Sequence, residues 1–386
     1  MRVMAAAVIA AALAASAIMP AATAARADDA EVERIVRQHV QPMLIAAGGM
    51  AVAVHMDGRT VFFNYGMADV ARKEPITSDV LFNLASVTKV FLATLLAQAV
   101  KQGEVALEDP VAKYVTELQQ GGDIRKITLG ELASHTSGLT RLPQQYEPWH
   151  RGPYKLPDFI RYLNSWKADD AHQPGKQEIY SNTGFFLLAL ALQRRFNTPI
   201  AKLMDARVLA PLGMSSTVMP VPTANGRGRL APEFRRRAVQ GYNFDAKPVG
   251  EPGNQQGVFN WPGTGQMYSS ARDMAVFLAA NLGVLPNHRP LEEAMALAQA
   301  GMFTVNPRFT QALGWQVVRN DDLTIVDKNG GLNNTSTYVG MIPQKKLGIV
   351  ILGNRGKEPA TRIGRQIMLA LARSNVAATD DGNNGN

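Results

Sequence analysis

The chain has 386 residues, with 40 Lys and Arg against 32 Asp and Glu, a formal net charge of +8, and no cysteine. That length holds one large or two medium domains, and the missing cysteine excludes disulfides, thiol catalysis, thiolate zinc sites and a cysteine lipid anchor. The basic balance does not read as a nucleic-acid footprint. Its one dense cluster, Arg227, Arg229, Arg235, Arg236 and Arg237, lies in a Pro- and Gly-containing segment that reads as a solvated loop, able at most to attract anionic small molecules.

At the N-terminus, Arg2, an apolar Ala-rich run from Val3 to Ala25 and Ala25-Arg26-Ala27 have the order of an export leader and its cleavage site. The reading is a signal peptide over 1–27, with an uncleaved anchor as the other possibility. No later apolar run is long enough to span a bilayer. Export without cysteine suits a bacterial periplasm.

A first helix is expected over Glu31–Ile45. Met50–His55 and Thr60–Tyr65 read as two strands joined by the turn Met56-Asp57-Gly58-Arg59. Ser86-Val87-Thr88-Lys89 then opens a long apolar run that reads as a buried helix. Positions i and i+3 share a helix face, so the hydroxyl and the amine would meet in one pocket. A serine hydroxyl needs a neighbouring base to become a nucleophile, and a lysine serves when burial or a second cation lowers its pKa. The bland alternative is an N-cap serine and a solvated lysine.

From about Gly103 to Gly175 helical patches are broken by Pro and Gly, with a turn at His135-Thr136-Ser137-Gly138-Leu139. Tyr180-Ser181-Asn182 precedes the apolar run Phe185–Leu192. Beside Lys89, Tyr180 would be a base and Asn182 a partner for a substrate amide. Otherwise the tyrosine packs and the asparagine caps Gly184 and the following helix. Lys328-Asn329-Gly330-Gly331 precedes a C-terminal hairpin, Thr335–Ile342 with Lys346–Leu352. It reads either as a fixed charge at a strand edge with glycines admitting a substrate backbone, or as an ordinary Asn-Gly turn. A last helix is expected over about Ala360–Ala372. The six histidines (His39, His55, His135, His150, His172, His288) are scattered without ligand spacing, so no metal is expected, and His135 reads as a satisfied turn histidine.

In the order S-x-x-K, Y-x-N, K-x-G, these segments resemble the class C β-lactamase family and the related penicillin-recognising serine hydrolases. Similarity extends to Gly49–Val54, Tyr65–Asp69, Pro174-Gly175, Pro211–Met214 and Tyr338–Pro343 with Leu347–Leu352, covering about Val32 to Ala372. The resemblance implies that Ser86 is acylated, that Lys89 and Tyr180 share its activation, and that Asn182 binds the substrate's amide side chain. It places Lys328, Asn329 and Gly330 as the K-T-G element and the N–H groups of Ser86 and Gly331 as an oxyanion hole. Arg362 is a candidate carboxylate partner. No Glu-x-x-x-Asn water-activating loop stands out, so deacylation would fall to Tyr180, Lys89 and the substrate itself.

Three departures bear on this. Asn329 stands for the threonine of K-T-G. The stretch from Leu313-Gly314-Trp315 to Lys328 is short where class C enzymes carry a long wall, which predicts a more open cleft. The glutamine that follows the motif matching Thr136-Ser137-Gly138 has no counterpart in register; Gln144 and Gln145 lie nearby.

The expected fold is α+β, an α/β/α sandwich whose antiparallel sheet is built from both ends of the chain, plus a mostly helical insertion. The expected division is 28–100 with 176–375 as the α/β part, 101–175 as the helical part, and a disordered tail over 376–386. The expected activity is hydrolysis of a β-lactam amide by a monomeric periplasmic enzyme without cofactor, acting on a β-lactam or D-Ala-D-Ala-like small molecule. Alternatives are a DD-peptidase, an esterase of the same fold, or a penicillin sensor that does not turn over.

Overall fold

The computed structural model describes residues 27–44, 47–143, 155–222, 228–253, 262–285 and 289–374. The expected leader (save Ala27), Gln144, Gln145, Arg227, His150, His288 and the tail 376–386 lie outside the described residues.

The chain runs α1 (Ala27–Val40), β1 (Gly49–Met56), β2 (Arg59–Asp69), β3 (Glu74–Pro75), β4 (Phe82–Asn83) and α2 (Thr88–Lys101). Next come α3 (Leu129–Ala133), α4 (Leu156–Ser165), α5 (Asn182–Phe196), α6 (Ile200–Met204), β5 (Val221–Pro222), β6 (Gly228–Arg229), α7 (Pro232–Arg235) and β7 (Tyr268–Ser269). The last part is α8 (Ala271–Asn281), α9 (Arg289–Gln299), β8 (Phe303–Asn306), β9 (Phe309–Gln311), β10 (Gln316–Asn320), β11 (Leu323–Leu332), β12 (Thr335–Ile342), β13 (Leu347–Gly353) and α10 (Ala360–Arg373).

Nine strands form one antiparallel sheet in the order β3-β2-β1-β13-β12-β11-β10-β9-β8. Its centre joins the two ends of the chain: Met50 pairs with Gly353 and His55 with Gly348. Every residue of β1 is buried, as a strand covered on both faces must be. Met50, Val52 and Val54 pack with Val32 and Val36 of α1 and Ile363 and Ile367 of α10. Ala51 and Ala53 face the other way, into a larger core containing Phe277 of α8 and Leu92 of α2. α2 is buried continuously from Thr88 to Ala99, so it needs no polar face. These layers are the expected sandwich.

The β1–β2 turn forms as read, with Asp57 at φ +53° and Gly58 at +72°, the pair of left-handed residues a tight hairpin requires. Two boundaries move for steric reasons. α1 ends at Val40 and continues as a 3-10 turn over Gln41–Met43, because Pro42 lacks the N–H a continuing helix needs. β13 starts at Leu347, since Lys346 is in the left-handed region at φ +46°. The broken helical stretch after Gly103 consists of 3-10 turns at Val111–Lys113, Thr116–Gln120 and Asp123–Lys126, then α3 and α4. Thr128 and Glu131 close a capping box on α3.

One open reading is decided and one expectation is corrected. Lys328-Asn329-Gly330-Gly331 is not an Asn-Gly turn; it lies inside strand β11, in keeping with the strand-edge reading, with Lys328 opposite Val339 and Gly331 opposite Ser336. The chain reverses afterwards, at Asn333-Asn334, because ladder pairing on β12 outweighs the turn preference of Asn-Gly. Ser86 does not stand on the α-helix but in a 3-10 turn, Ala85–Val87, that ends directly before α2 begins at Thr88.

Candidate active site

Ser86 is held in a strained turn fixed from three sides. Ala85 takes φ +46°, which a residue with a side chain seldom adopts. Its N–H donates to Asn83 Oδ1 at 2.7 Å. Asn83 pairs with Tyr268, and Leu84 N–H donates to Met267 O at 2.8 Å. From β12, Thr335 donates to Asn83 O at 3.0 Å and Thr337 to Leu84 O at 2.8 Å. Such over-determination is what keeps a strained residue in place. Ser86 is not a helix cap: Val87 occupies that position, with no side-chain bond. Ser86 N–H belongs to the first turn of its 3-10 helix, where no intrahelical acceptor exists.

Lys89 is 0 % exposed, in the first turn of α2. Its ammonium nitrogen donates to Ser86 Oγ at 3.3 Å, Asn182 Oδ1 at 2.8 Å and Thr264 O. Among the described residues no carboxylate pairs with it. Burial pushes its pKa well below the lysine range, and the Arg141 guanidinium adds to that by like-charge repulsion. A desolvated lysine beside a hydroxyl, short of counter-charge, is equipped to be a base.

Tyr180 OH stands 2.6 Å from Ser86 Oγ. Three cations surround its ring, with Lys328 Nζ 4.9 Å, Lys89 Nζ 5.1 Å and the Arg141 guanidinium carbon 5.8 Å from the centroid. Ser181, not Asn182, caps α5: its Oγ accepts from Gly184 N–H at 2.8 Å and donates to Thr140 O at 3.0 Å. Asn182 is thereby left to bind Lys89 through Oδ1. Among the described residues its Nδ2 has no acceptor.

Lys328 is 2 % exposed. Burial lowers its pKa and Lys89 adds to that, while Tyr180, Asp327 and Glu178 oppose the shift. Strand alternation buries Lys328 and Gly330 and leaves Asn329 and Gly331 exposed. β10 pairs with β11 only as far as Gln316 opposite Asp327. From Lys328 to Leu332, therefore, β11 has a neighbour in β12 alone among the described residues, which place no strand on its other edge. β11 lies so close to the serine turn that a Cβ on Gly330 would sit 2.3 Å from Leu84 O and 3.0 Å from Ser86 N. The short stretch before Lys328 is a tight hairpin turn, Asn320 pairing with Leu323 and Asp321 at φ +54°.

The fold thus gathers Ser86, Lys89, Tyr180, Asn182 and Lys328, with the Asn329–Gly331 backbone alongside. Arg362 stands apart: it is exposed in the first turn of α10, the helix on the opposite face of the sheet, and no described contact joins it to the cluster. Sequence reasoning missed Arg141, Thr264 and Asn83; only their tertiary neighbours mark them. His135 is more than a satisfied turn residue, since its Nε2 is buried and has no partner among the described residues. Among the described residues no group of three or more His, Cys, Asp or Glu converges on a metal-sized site, and no helix is long and apolar enough to cross a membrane.

A serine hydroxyl shared between a buried amine and a phenol, in a sheet closed by both chain ends, is the arrangement of a serine hydrolase. Residues 33–372 match the family model described as Beta-lactamase, and the chain belongs to that family. A β-lactamase of Pseudomonas fluorescens is 29 % identical over 366 residues, covering 86 % of this chain and 96 % of the relative. A β-lactamase/D-alanine carboxypeptidase from Pseudomonas syringae superposes with a TM-score of 0.76 at 26 % identity, covering 90 % of this chain and 100 % of the other. A class C β-lactamase variant of known structure shares the fold, with a TM-score of 0.76 at 24 % identity, covering 89 % and 98 %.

Proposed function

We propose that the protein is a class C-type serine β-lactamase of the periplasm, acting through an acyl-enzyme on Ser86. One observation carries this reading: Ser86 Oγ lies 2.6 Å from Tyr180 OH and 3.3 Å from Lys89 Nζ. The Ser86 proton passes to this pair as Oγ attacks the lactam carbonyl carbon. The N–H groups of Ser86 and Gly331 stabilise the oxyanion. The ring C–N bond breaks, and its nitrogen takes a proton back from Tyr180. Asn182 Nδ2 holds the acyl side-chain amide, and Lys328 with Asn329 holds the substrate carboxylate. Water, deprotonated by the same pair, then attacks the ester carbonyl and frees Ser86. Of the expected site residues, Gly330 serves this scheme only by letting β11 lie against the serine turn, and Arg362 has no place in it. The tight β10–β11 turn leaves that side of the cleft low, which favours bulky substituents beside Lys328.

The β11 edge from Lys328 to Leu332 also favours a second reading, a D-alanyl-D-alanine peptidase, because a free strand edge accepts an extended peptide as an added strand. The P. syringae relative carries both descriptions. Intact-mass spectrometry with a cephalosporin and a carbapenem over time separates the readings. An adduct that forms and is lost with release of hydrolysed drug supports the β-lactamase. A persistent adduct, with D-alanine released from a D-alanyl-D-alanine peptide, supports the peptidase. A persistent adduct without peptidase activity supports a sensor. Ser86→Ala should take up no β-lactam, and labelled Ser86→Ala would overturn the assignment.

A further inference from the structure

We propose that His135 is a positioning residue for Tyr180, holding the phenol at Ser86 through its ring and an acceptor nitrogen. The inference rests on the reading of Ser86, Lys89 and Tyr180 as the acylating centre.

His135 follows α3 and clamps the Tyr180 segment at three points. Its carbonyl accepts from Ile179 N–H at 2.7 Å, just before the tyrosine. Its Nδ1 accepts from Ser181 N–H at 3.1 Å, just after it. Its ring packs on the phenol itself, centroids 4.5 Å apart, and on Phe185 at 4.8 Å. Thr136, the next residue, accepts from Gly175 N–H at 2.7 Å, tying the turn to the segment that leads to Tyr180.

Two features of this clamp cost stability. His135 is in the left-handed region at φ +60°. Its Nε2 is buried with no partner among the described residues. A backbone N–H can only donate, so Nδ1 carries no proton and the neutral ring keeps its proton on Nε2, an unsatisfied donor. Strain and an orphaned donor together mark a residue kept for more than packing. The groups facing the ring explain why it stays neutral: burial, then Lys328 of β11 and Lys89 of α2, hold its pKa well below the usual imidazole range. An imidazolium would lose the Ser181 bond and repel both lysines.

The two holding functions can be separated by substitution. Asparagine can accept from Ser181 N–H and tolerates the left-handed backbone, but cannot stack; alanine does neither. The test measures the rate constant of Ser86 acylation by a penicillin, by intact mass, for wild type, His135→Ala and His135→Asn, each with and without Tyr180→Phe. Folding is followed by circular dichroism and Tm. His135→Ala should lose about 100-fold in acylation rate, the scale of a misplaced catalytic group, with unchanged penicillin affinity and with part of the rate restored in His135→Asn. In the Tyr180→Phe background the loss should vanish, because there is no hydroxyl left to position. Equal losses in both backgrounds, or wild-type acylation by His135→Ala, would overturn the proposal. The 15N chemical shifts of the wild-type imidazole give a readout independent of any variant's folding. They should report the Nε2–H tautomer at neutral pH, and an Nδ1–H or protonated ring would also overturn it. A wild-type chain that no penicillin acylates would instead overturn the reading of Ser86.

Discussion

Lys89 stands in a pocket where, among the described residues, no carboxylate balances it, and its lowered pKa favours the neutral amine that a proton acceptor for Ser86 requires. Burial is the larger cause of its lowered pKa and Arg141 the second. Arg141 is exposed, and its guanidinium meets the site over the Tyr180 ring. Removing its positive charge makes protonated Lys89 less unfavourable, so the Lys89 pKa rises. Because acylation needs the neutral amine, the acid limb of the acylation rate should move to higher pH in Arg141→Met. A pH–rate profile checks this, and a limb that stays put or moves to lower pH would sink it. S-x-x-K was readable in the sequence because i,i+3 spacing is a local rule that survives the change from α-helix to 3-10 turn. Arg141 was not, because its place beside Tyr180 depends on Asn182 N–H binding its carbonyl at 3.2 Å.

At the scale of elements, β11 is where the sequence left two readings open, strand edge or turn, and where the fold is least forgiving. Asn-Gly has turn chemistry, yet seven residues of β12, Thr335 to Met341, pair along this edge and the segment becomes strand. Gly330 is needed there for space, since an added Cβ would meet Leu84 O at 2.3 Å and Thr337 Oγ1 at 2.5 Å. Gly330→Ala must push β11 away from the serine turn. It should cost about 1–3 kcal/mol and lower acylation as well. Gly331→Ala is the control, because nothing lies within 4 Å of its added Cβ, and it should keep wild-type Tm. Thermal melts of the two variants decide the matter; equal stabilities would contradict the close approach. The strands β1, β2, β12 and the helix α10 were legible because apolar periodicity and turn residues agreed in each. The start of α2 was blurred because 3-10 turns are common at the N-termini of α-helices and i,i+3 spacing does not tell the two apart.

Across the whole molecule, the sheet carries the site on one face and a buried ion pair on the other. Directly before Lys328, Asp327 turns away from the site and accepts from Arg365 Nε at 2.6 Å and Nη2 at 3.1 Å and from Tyr338 OH at 2.8 Å. This bidentate bond fixes α10 to β11 and so fixes the strand that presents Lys328. Asp327→Asn leaves the Arg365 charge, 30 % exposed, without its counter-ion. Stability should fall by about 3 kcal/mol. Urea denaturation measures this, and a change below about 0.5 kcal/mol would mean that the pair does no more than a surface one.

By itself the amino-acid sequence pointed to the family, the layered sheet and five of the side chains gathered at the site, Ser86, Lys89, Tyr180, Asn182 and Lys328. The layers follow from apolar periodicity, a local property, and the site from the order of three short motifs and the family resemblance they carry. The tertiary structure alone decided that Lys328 lies mid-strand with a free edge, that Ser181 caps α5 and so leaves Asn182 to Lys89, and that Arg362 stands apart. It also decided that His135 and Arg141 converge on Tyr180. These outcomes depend on which strand pairs with which and on what burial does to a charge, and both are settled only when segments distant in the chain are packed against one another.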